Sequence, residues 1–180
     1  MGTIKRPDPV KAIIGVLYAE EEIYETVLSK IEAQFDQVDY QSEPFPFVET
    51  DYYADEMGSN LVRRFISLNA LIFPDELIHL KQMTNLFEEQ LSEDGNRRIN
   101  LDPGYLDSAK LVLASAKNFS HRLYLGRGIY GEVTMRFQEG QFSELPWTYP
   151  DYLHHREVFH HLRDHFKLQL KAHGSHEEIN

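Results

Sequence analysis

The sequence predicts an α+β protein with a ferredoxin-like βαββαβ core. An antiparallel extension of two hairpins and a C-terminal covering helix complete the expected fold. Three observations predict it. Up to Asp102 the hydrophobic period alternates between strand and helix in the order strand, helix, strand, strand, helix, strand. Residues 121–145 alternate in twos around glycine-containing turns. Residues 151–171 carry apolar side chains at helical spacing. Strands and helices sharing one core define the α+β class.

Each element has a local reason. Residues 1–10 are polar and contain Pro7 and Pro9, and so read as a flexible leader. The run Ala12-Ile13-Ile14-Gly15-Val16-Leu17-Tyr18 is short, continuous and rich in β-branched residues, as a buried central strand requires. Glu20, Glu21 and Glu22 favour the positive end of a helix whose stripe is Ile23, Val27, Leu28, Ile31 and Phe35. Val38 and Tyr40 alternate with polar residues, as in a half-buried strand. Residues 43–58, with Pro44 and Pro46, read as a long surface loop of the functional kind. Residues 61–70 return to strand character. Pro74 and Asp75 open a second helix with the stripe Leu77, Leu80, Thr84, Phe87 and Leu91. Residues 98–102 form a short strand, and Pro103-Gly104 is a turn signal. Residues 106–117 fit strand or helix. The expected organisation is one domain over residues 11–172, with a disordered tail at 173–180.

Composition excludes several functions. Of 180 residues, 18 are Lys or Arg and 29 are Asp or Glu, a net charge of −11. Such a surface repels phosphate backbones and anionic lipid, so neither nucleic acid nor a membrane is an expected partner. The longest apolar run falls far short of the roughly 20 residues of a membrane span. With no cysteine, thiol catalysis and Cys-ligated metal are ruled out. The expected location is the cytoplasm.

One motif is misleading. Leu125-Gly126-Arg127-Gly128-Ile129-Tyr130-Gly131-Glu132-Val133 matches the kinase glycine-rich loop at every fixed position. The strand that follows, Thr134-Met135-Arg136-Phe137, has no kinase lysine, and no D-F-G comes after it. A hairpin fits better, with 126–128 as a three-residue loop. Leu125 then opposes Ile129, Leu123 opposes Gly131, and Tyr124 opposes Tyr130. Arg122 opposes Glu132. His121, Leu123, Leu125, Ile129, Val133, Met135 and Phe137 would face the core together.

Candidate chemistry is sparse. Asp102, Lys117, His121 and Glu132 are candidates for one end of the sheet, as general acid, general base and anion contacts. Arg122, Tyr124, Tyr130 and Glu56 are candidate ligand contacts, and loop 52–58 is the expected rim. His154, His161 and His165 fall on one side of the last predicted helix, and the last two have the spacing that lets two imidazoles share a metal. The glutamate that accompanies such a pair in metalloproteases is missing, so no metal or other cofactor is expected. Lys81, Asn85 and Glu88 share a face of the second helix and fit a solvated flank better than a ligand wall. The function expected is small-ligand binding or an unidentified reaction. The alternative is a protein-interaction or assembly module, with a homodimer as one form. That module would use Tyr52, Tyr53, Trp147, Tyr149 and Tyr152 as its contact surface.

Specific segments carry a resemblance. Asn100-Leu101-Asp102-Pro103-Gly104-Tyr105-Leu106, His121-Arg122-x-Tyr124-Leu125-Gly126-x-Gly128-Ile129-Tyr130-x-Glu132-Val133-Thr134 and Leu145-Pro146-Trp147-Thr148-Tyr149-Pro150-Asp151-Tyr152 resemble an uncharacterised bacterial family, catalogued as domain of unknown function 4416. The resemblance implies a bacterial cytoplasmic protein and no particular activity.

Overall fold

The computed structural model describes residues 2–50 and 52–177, with side chains to residue 172. Among the described residues, five α-helices accompany a nine-stranded sheet in which every strand pair is antiparallel. In chain order the elements are β1 (Val10–Tyr18), α1 (Glu21–Gln34), β2 (Val38–Gln41), β3 (Phe45–Pro46), α2 (Ala54–Met57) and β4 (Val62–Ile72). Then come α3 (Leu77–Gln90), β5 (Ile99–Leu106), β6 (Lys110–Ser115), β7 (Leu123–Gly126), β8 (Ile129–Gln138), β9 (Gln141–Glu144), α4 (Pro150–His154) and α5 (Arg156–Glu177). The expected tail's last residues, 178–180, lie outside the described residues.

The strand order is β2-β4-β1-β5-β6-β8-β7, with β3 on β4 and β9 on β8. Strand β1 is central because it is apolar on both faces, as a strand covered twice must be. Its Ala12, Ile14, Val16 and Tyr18 meet α1 and α3 through Val27, Ile31, Leu77 and Leu80. Its Ile13 joins Phe65, Leu106 and Leu111 under Phe159, Leu162 and Phe166 of α5. The sheet is thus sandwiched between two helical layers.

Several expected boundaries move. The loop at 43–58 holds the short strand β3 and the helical turn α2. The last helix is broken at His155 into α4 and α5. His154 therefore does not share a helix with His161 and His165. Pro103-Gly104 is not a turn, because β5 runs straight through both. A proline or glycine inside a strand marks lost pairing or close backbone approach, and both occur here. A Cβ at Gly104 would lie 2.3 Å from the Val112 carbonyl oxygen.

The glycine motif is a hairpin, with a corrected register. Leu123 opposes Gly131 and Tyr124 opposes Tyr130, as expected, but Gly126 takes the place opposite Ile129. The loop is only Arg127-Gly128, at φ 51° and 79°. These positive values suit the two-residue hairpin turn whose twist matches the strands. Leu125 is bulged out of the pairing. A second irregularity, opposite Leu111 and Val112, skips Thr134. It switches faces, so Val133 packs toward α3 while Met135 and Phe137 pack toward α5. The predicted single apolar face therefore fails. Leu123 is 75% exposed, and His121 lies outside both cores.

Candidate functional site

The site begins as a split in the sheet. Strand β5 pairs with β1 along its whole length, from Ile99 opposite Tyr18 to Leu106 opposite Lys11. On its other side it pairs with β6 only through Gly104, Tyr105 and Leu106. Strand β6 stays with β8 to its end, Ser115 opposite Tyr130. Residues 99–103 of β5 and 114–115 of β6 therefore diverge. In antiparallel strands the N–H and C=O of one residue point to the same neighbour. Leu101 points both toward the missing partner, and Pro103, two residues on, has no N–H to offer there.

Side chains from α3 replace the lost strand. The Leu101 N–H donates to Glu88 Oε1 at 2.5 Å, and Lys81 Nζ donates to the Leu101 carbonyl at 2.9 Å. Both side chains are buried. Sequence reasoning placed Lys81, Asn85 and Glu88 on a solvated flank; the structure turns them inward. Their spacing from Leu77 and Thr84 was the available signal, because positions 77, 81, 84 and 88 form one helical stripe. Burial pushes the Glu88 carboxyl above the usual range, against the opposing pull of Lys81.

The split holds a cavity of about 300 Å³, whose lining includes Lys81, Asn85, Glu88, Arg97, Asn100, Asp102, Ser115, Lys117, Arg122, Glu132 and Tyr149. Tyr52 and Tyr53 close one side. A second cavity of about 460 Å³ shares Tyr52, Tyr53, Asp102, Lys117, Arg122 and Tyr149, and continues to Arg63, Asp151 and Tyr152.

Arg122 organises the β6 wall. Its Nε donates to Glu132 Oε2 at 2.7 Å, and its Nη1 to Ser115 Oγ and the Lys117 carbonyl, both at 2.9 Å. Its Nη2 donates to Tyr149 Oη at 3.0 Å. Glu132 is 3% exposed, and its Oε1 has no hydrogen-bond partner. On the opposite wall Arg63 pairs with Asp102 at 2.9 Å and with Asp151 at 2.8 Å. Asn100 Nδ2 also donates to Asp102 Oδ2. Burial raises the Asp151 carboxyl despite Arg63, and raises the Tyr53, Tyr149 and Tyr152 phenols. Gly15 gives Tyr152 its space, since a Cβ there would sit 2.3 Å from the phenol oxygen.

Of the predicted residues, Asp102, Lys117, Arg122 and Glu132 meet in the first cavity. His121 is one step behind, with Nε2 2.8 Å from Glu132 Oε2 and its ring stacked on Trp147 at 4.8 Å. Glu56 lies outside the lining. It grips Arg97 through Nε and Nη2, both at 2.7 Å, and that hydrogen bonding holds its carboxyl below the usual range. Tyr124 and Tyr130 contact each other, with centroids 5.2 Å apart, and line neither cavity. Arg97 and Arg63 had no sequence signal, and Asn100 and Asp151 stood in the segments that carry the resemblance without a role being read for them.

The histidines do not join this site. His154 Nδ1 is 3.0 Å from Glu49 Oε1. His161 and His165 line a separate hollow with Asp39, Tyr40 and Asp164. Among the described residues, no group of three or more His, Asp or Glu side chains is arranged to hold a metal ion. Nor is any helix among them long and apolar enough to cross a membrane.

These features define a class: a mixed α/β protein whose antiparallel sheet opens around a cavity of mixed charge. The chain belongs to the family described as a domain of unknown function, DUF4416, whose model matches residues 8–166. No curated protein and no solved structure matches it.

Proposed function

We propose that the split in the sheet is a small-ligand site, and that the protein binds a polar metabolite there or transforms it by a reaction still to be identified. One observation carries the reading: β5 and β6 part, and Lys81 and Glu88 cap the freed backbone of Leu101 beside the cavity. Burying two ionisable side chains for a purely structural purpose is costly, and apolar residues commonly do as well or better. A cavity with convergent polar groups and perturbed carboxyls is the usual form of a ligand site.

The reading extends to the surrounding fold. We take β1-α1-β2-β4-α3-β5 as a ferredoxin-like core. The order β2-β4-β1-β5, with α1 and α3 packed on one face, supports this. A cytoplasmic, bacterial setting belongs to the same proposal and rests on the resemblance.

The test is native mass spectrometry of freshly purified protein, followed by thermal-shift screening against metabolites. Asn85→Phe is the control, since Asn85 lines the cavity and a phenyl ring would fill it. A retained or stabilising ligand lost in this variant is the expected result. A variant that binds the same compounds equally well would sink the reading.

A second reading, self-assembly, draws on the sheet edge. Strand β7 is terminal in the sheet, and Phe119, Leu123 and Tyr124 are exposed beside it. An unpaired edge with apolar side chains favours strand pairing with a second copy. Light scattering tests it: a dimer that Leu123→Glu converts to monomer is the expected result, and a monomeric wild type refutes it. Trp147 and Tyr152 take no part in such a surface. Trp147 donates to the Val133 carbonyl at 2.8 Å, and Tyr152 is buried.

A further inference from the structure

We propose that the ligand is a hydroxylated organic anion of sugar-acid or sugar-phosphate type; this rests on the reading of the split as a ligand site. The charges point to the anion. The chain carries −11 overall, yet the cavity lining has four cationic side chains against three carboxylates. Arg97 and Arg122 are engaged by Glu56 and Glu132. Lys81 and Lys117 differ, because among the described residues neither has a carboxylate within ion-pair distance. Lys81 spends one of three donors on the Leu101 carbonyl. Among the described residues, Lys117 makes a 3.3 Å contact with Tyr52 Oη, besides lying over its ring. Two ammonium groups with spare donors in one cavity suit a carboxylate or phosphate.

One acceptor points to hydroxyl groups. Asp102 uses Oδ2 for both Arg63 and Asn100, leaving Oδ1 without a partner. Glu132 uses Oε2 for both Arg122 and His121, leaving Oε1 without one. Asp102 lines both cavities and keeps 30% of its side chain exposed, so a ligand hydroxyl can donate to its free oxygen, whereas Glu132 Oε1 is sealed from solvent and lies out of a ligand's direct reach. Asp102 already faces a guanidinium, so a neutral O–H suits it better than a second cation. The rings of Tyr52, Tyr53 and Tyr149 offer flat apolar area for the carbon skeleton between these groups.

The experiment is calorimetric titration of the full chain with glucose 6-phosphate, ribose 5-phosphate and glucuronate. Free glucose, inorganic phosphate and acetate are the comparisons. At least one hydroxylated anion is expected to bind with Kd of about 1 mM or tighter, and about tenfold or more tighter than the comparisons. Tighter binding of glucuronate assigns a carboxylate; tighter binding of the phosphates assigns a phosphate. Lys117→Met, at an exposed position, should weaken that ligand about tenfold or more, the usual scale for a lost charged hydrogen bond. The proposal is overturned if no hydroxylated anion binds, if phosphate or acetate alone binds as tightly, or if Lys117→Met changes nothing. A retained compound of another class, lost in Asn85→Phe, would overturn this assignment while leaving the site itself standing. No ligand of any kind, by either method, would remove both.

Discussion

Glu88 is where the split sheet can be tested most directly. Its Oε1 accepts from the buried Leu101 N–H, which has no strand partner. Glu88→Leu keeps bulk at the position and removes the acceptor. Glu88→Gln keeps an acceptor and removes the charge. An unsatisfied buried donor costs about 1–3 kcal/mol, which for a domain of this size is roughly 2–12 °C in Tm. Glu88→Leu should therefore melt about that far below Glu88→Gln at neutral pH. Comparing the two variants cancels the lost attraction to Lys81 and Arg97, which both share. The sign of the pH dependence follows from burial. The folded carboxyl titrates above its ordinary value of 4.5. Between that value and the raised one, the native state still holds a proton that the unfolded chain has released. Stability contributed here is present at low pH and is lost as pH rises through that window. Urea unfolding at a series of pH values should show wild type losing ground to Glu88→Gln as pH rises. Equal melting of the Leu and Gln variants would refute the capping role of Glu88.

Other outcomes follow from packing. Gly15→Ala should cost about 1–3 kcal/mol, because its methyl meets the phenol oxygen of buried Tyr152 at 2.3 Å; Tyr152→Phe in the same chain should recover part of it, read by denaturant unfolding. That oxygen has no hydrogen-bond partner, so Tyr152→Phe alone should be close to neutral. Leu113→Ala should cost about 2–5 kcal/mol, since Leu113 is buried in the core beneath α5. Leu123→Ala, exposed on the outer hairpin, should stay within about 0.5 kcal/mol. Chemical denaturation of the two leucine variants side by side checks the corrected hairpin.

Periodicity made most of the elements legible, because burial on one or two faces leaves a direct mark on residue order. The central strand was plain from seven consecutive apolar residues, and Arg122 opposite Glu132 followed from alternation alone. Alternation fails at a bulge, which adds one residue and exchanges the faces. The skipped Thr134 did this to β8, parting Val133 from Met135 and Phe137, while Leu123, paired as expected with Gly131, is exposed because β7 is the terminal strand, and His121 is covered by Trp147 rather than by the core. Half of the cavity was legible for the same reason. Asp102 and Glu132 lie within β5 and β8, and Lys117 and Arg122 just beyond the ends of β6 and β7, on strands that chain order brings together. Lys81 and Glu88 were misread because charge usually marks the solvent face of a helix. Here their positions, in step with Leu77 and Thr84, outweigh their chemistry.

The same logic explains why the cavity needs charged walls. A sheet that parts leaves N–H and C=O groups bare, and a bare group in a dry interior is expensive. Closing the gap with apolar residues would leave Leu101 unsatisfied on both atoms. Flooding it with solvent would wet the core that Val112 and Ala114 share with α3. Lys81 and Glu88 resolve this by supplying one donor and one acceptor to one residue. They also bring opposite charges, which moderate each other's burial. Across the gap, Arg122 does the same for Ser115 and the Lys117 carbonyl, and Glu132 balances its charge. Each wall is therefore largely satisfied before anything binds. What remains unused around the cavity is ammonium protons on Lys81 and Lys117 and one oxygen on Asp102. A split serving structure alone would have no reason to leave donors and an acceptor unused around one cavity.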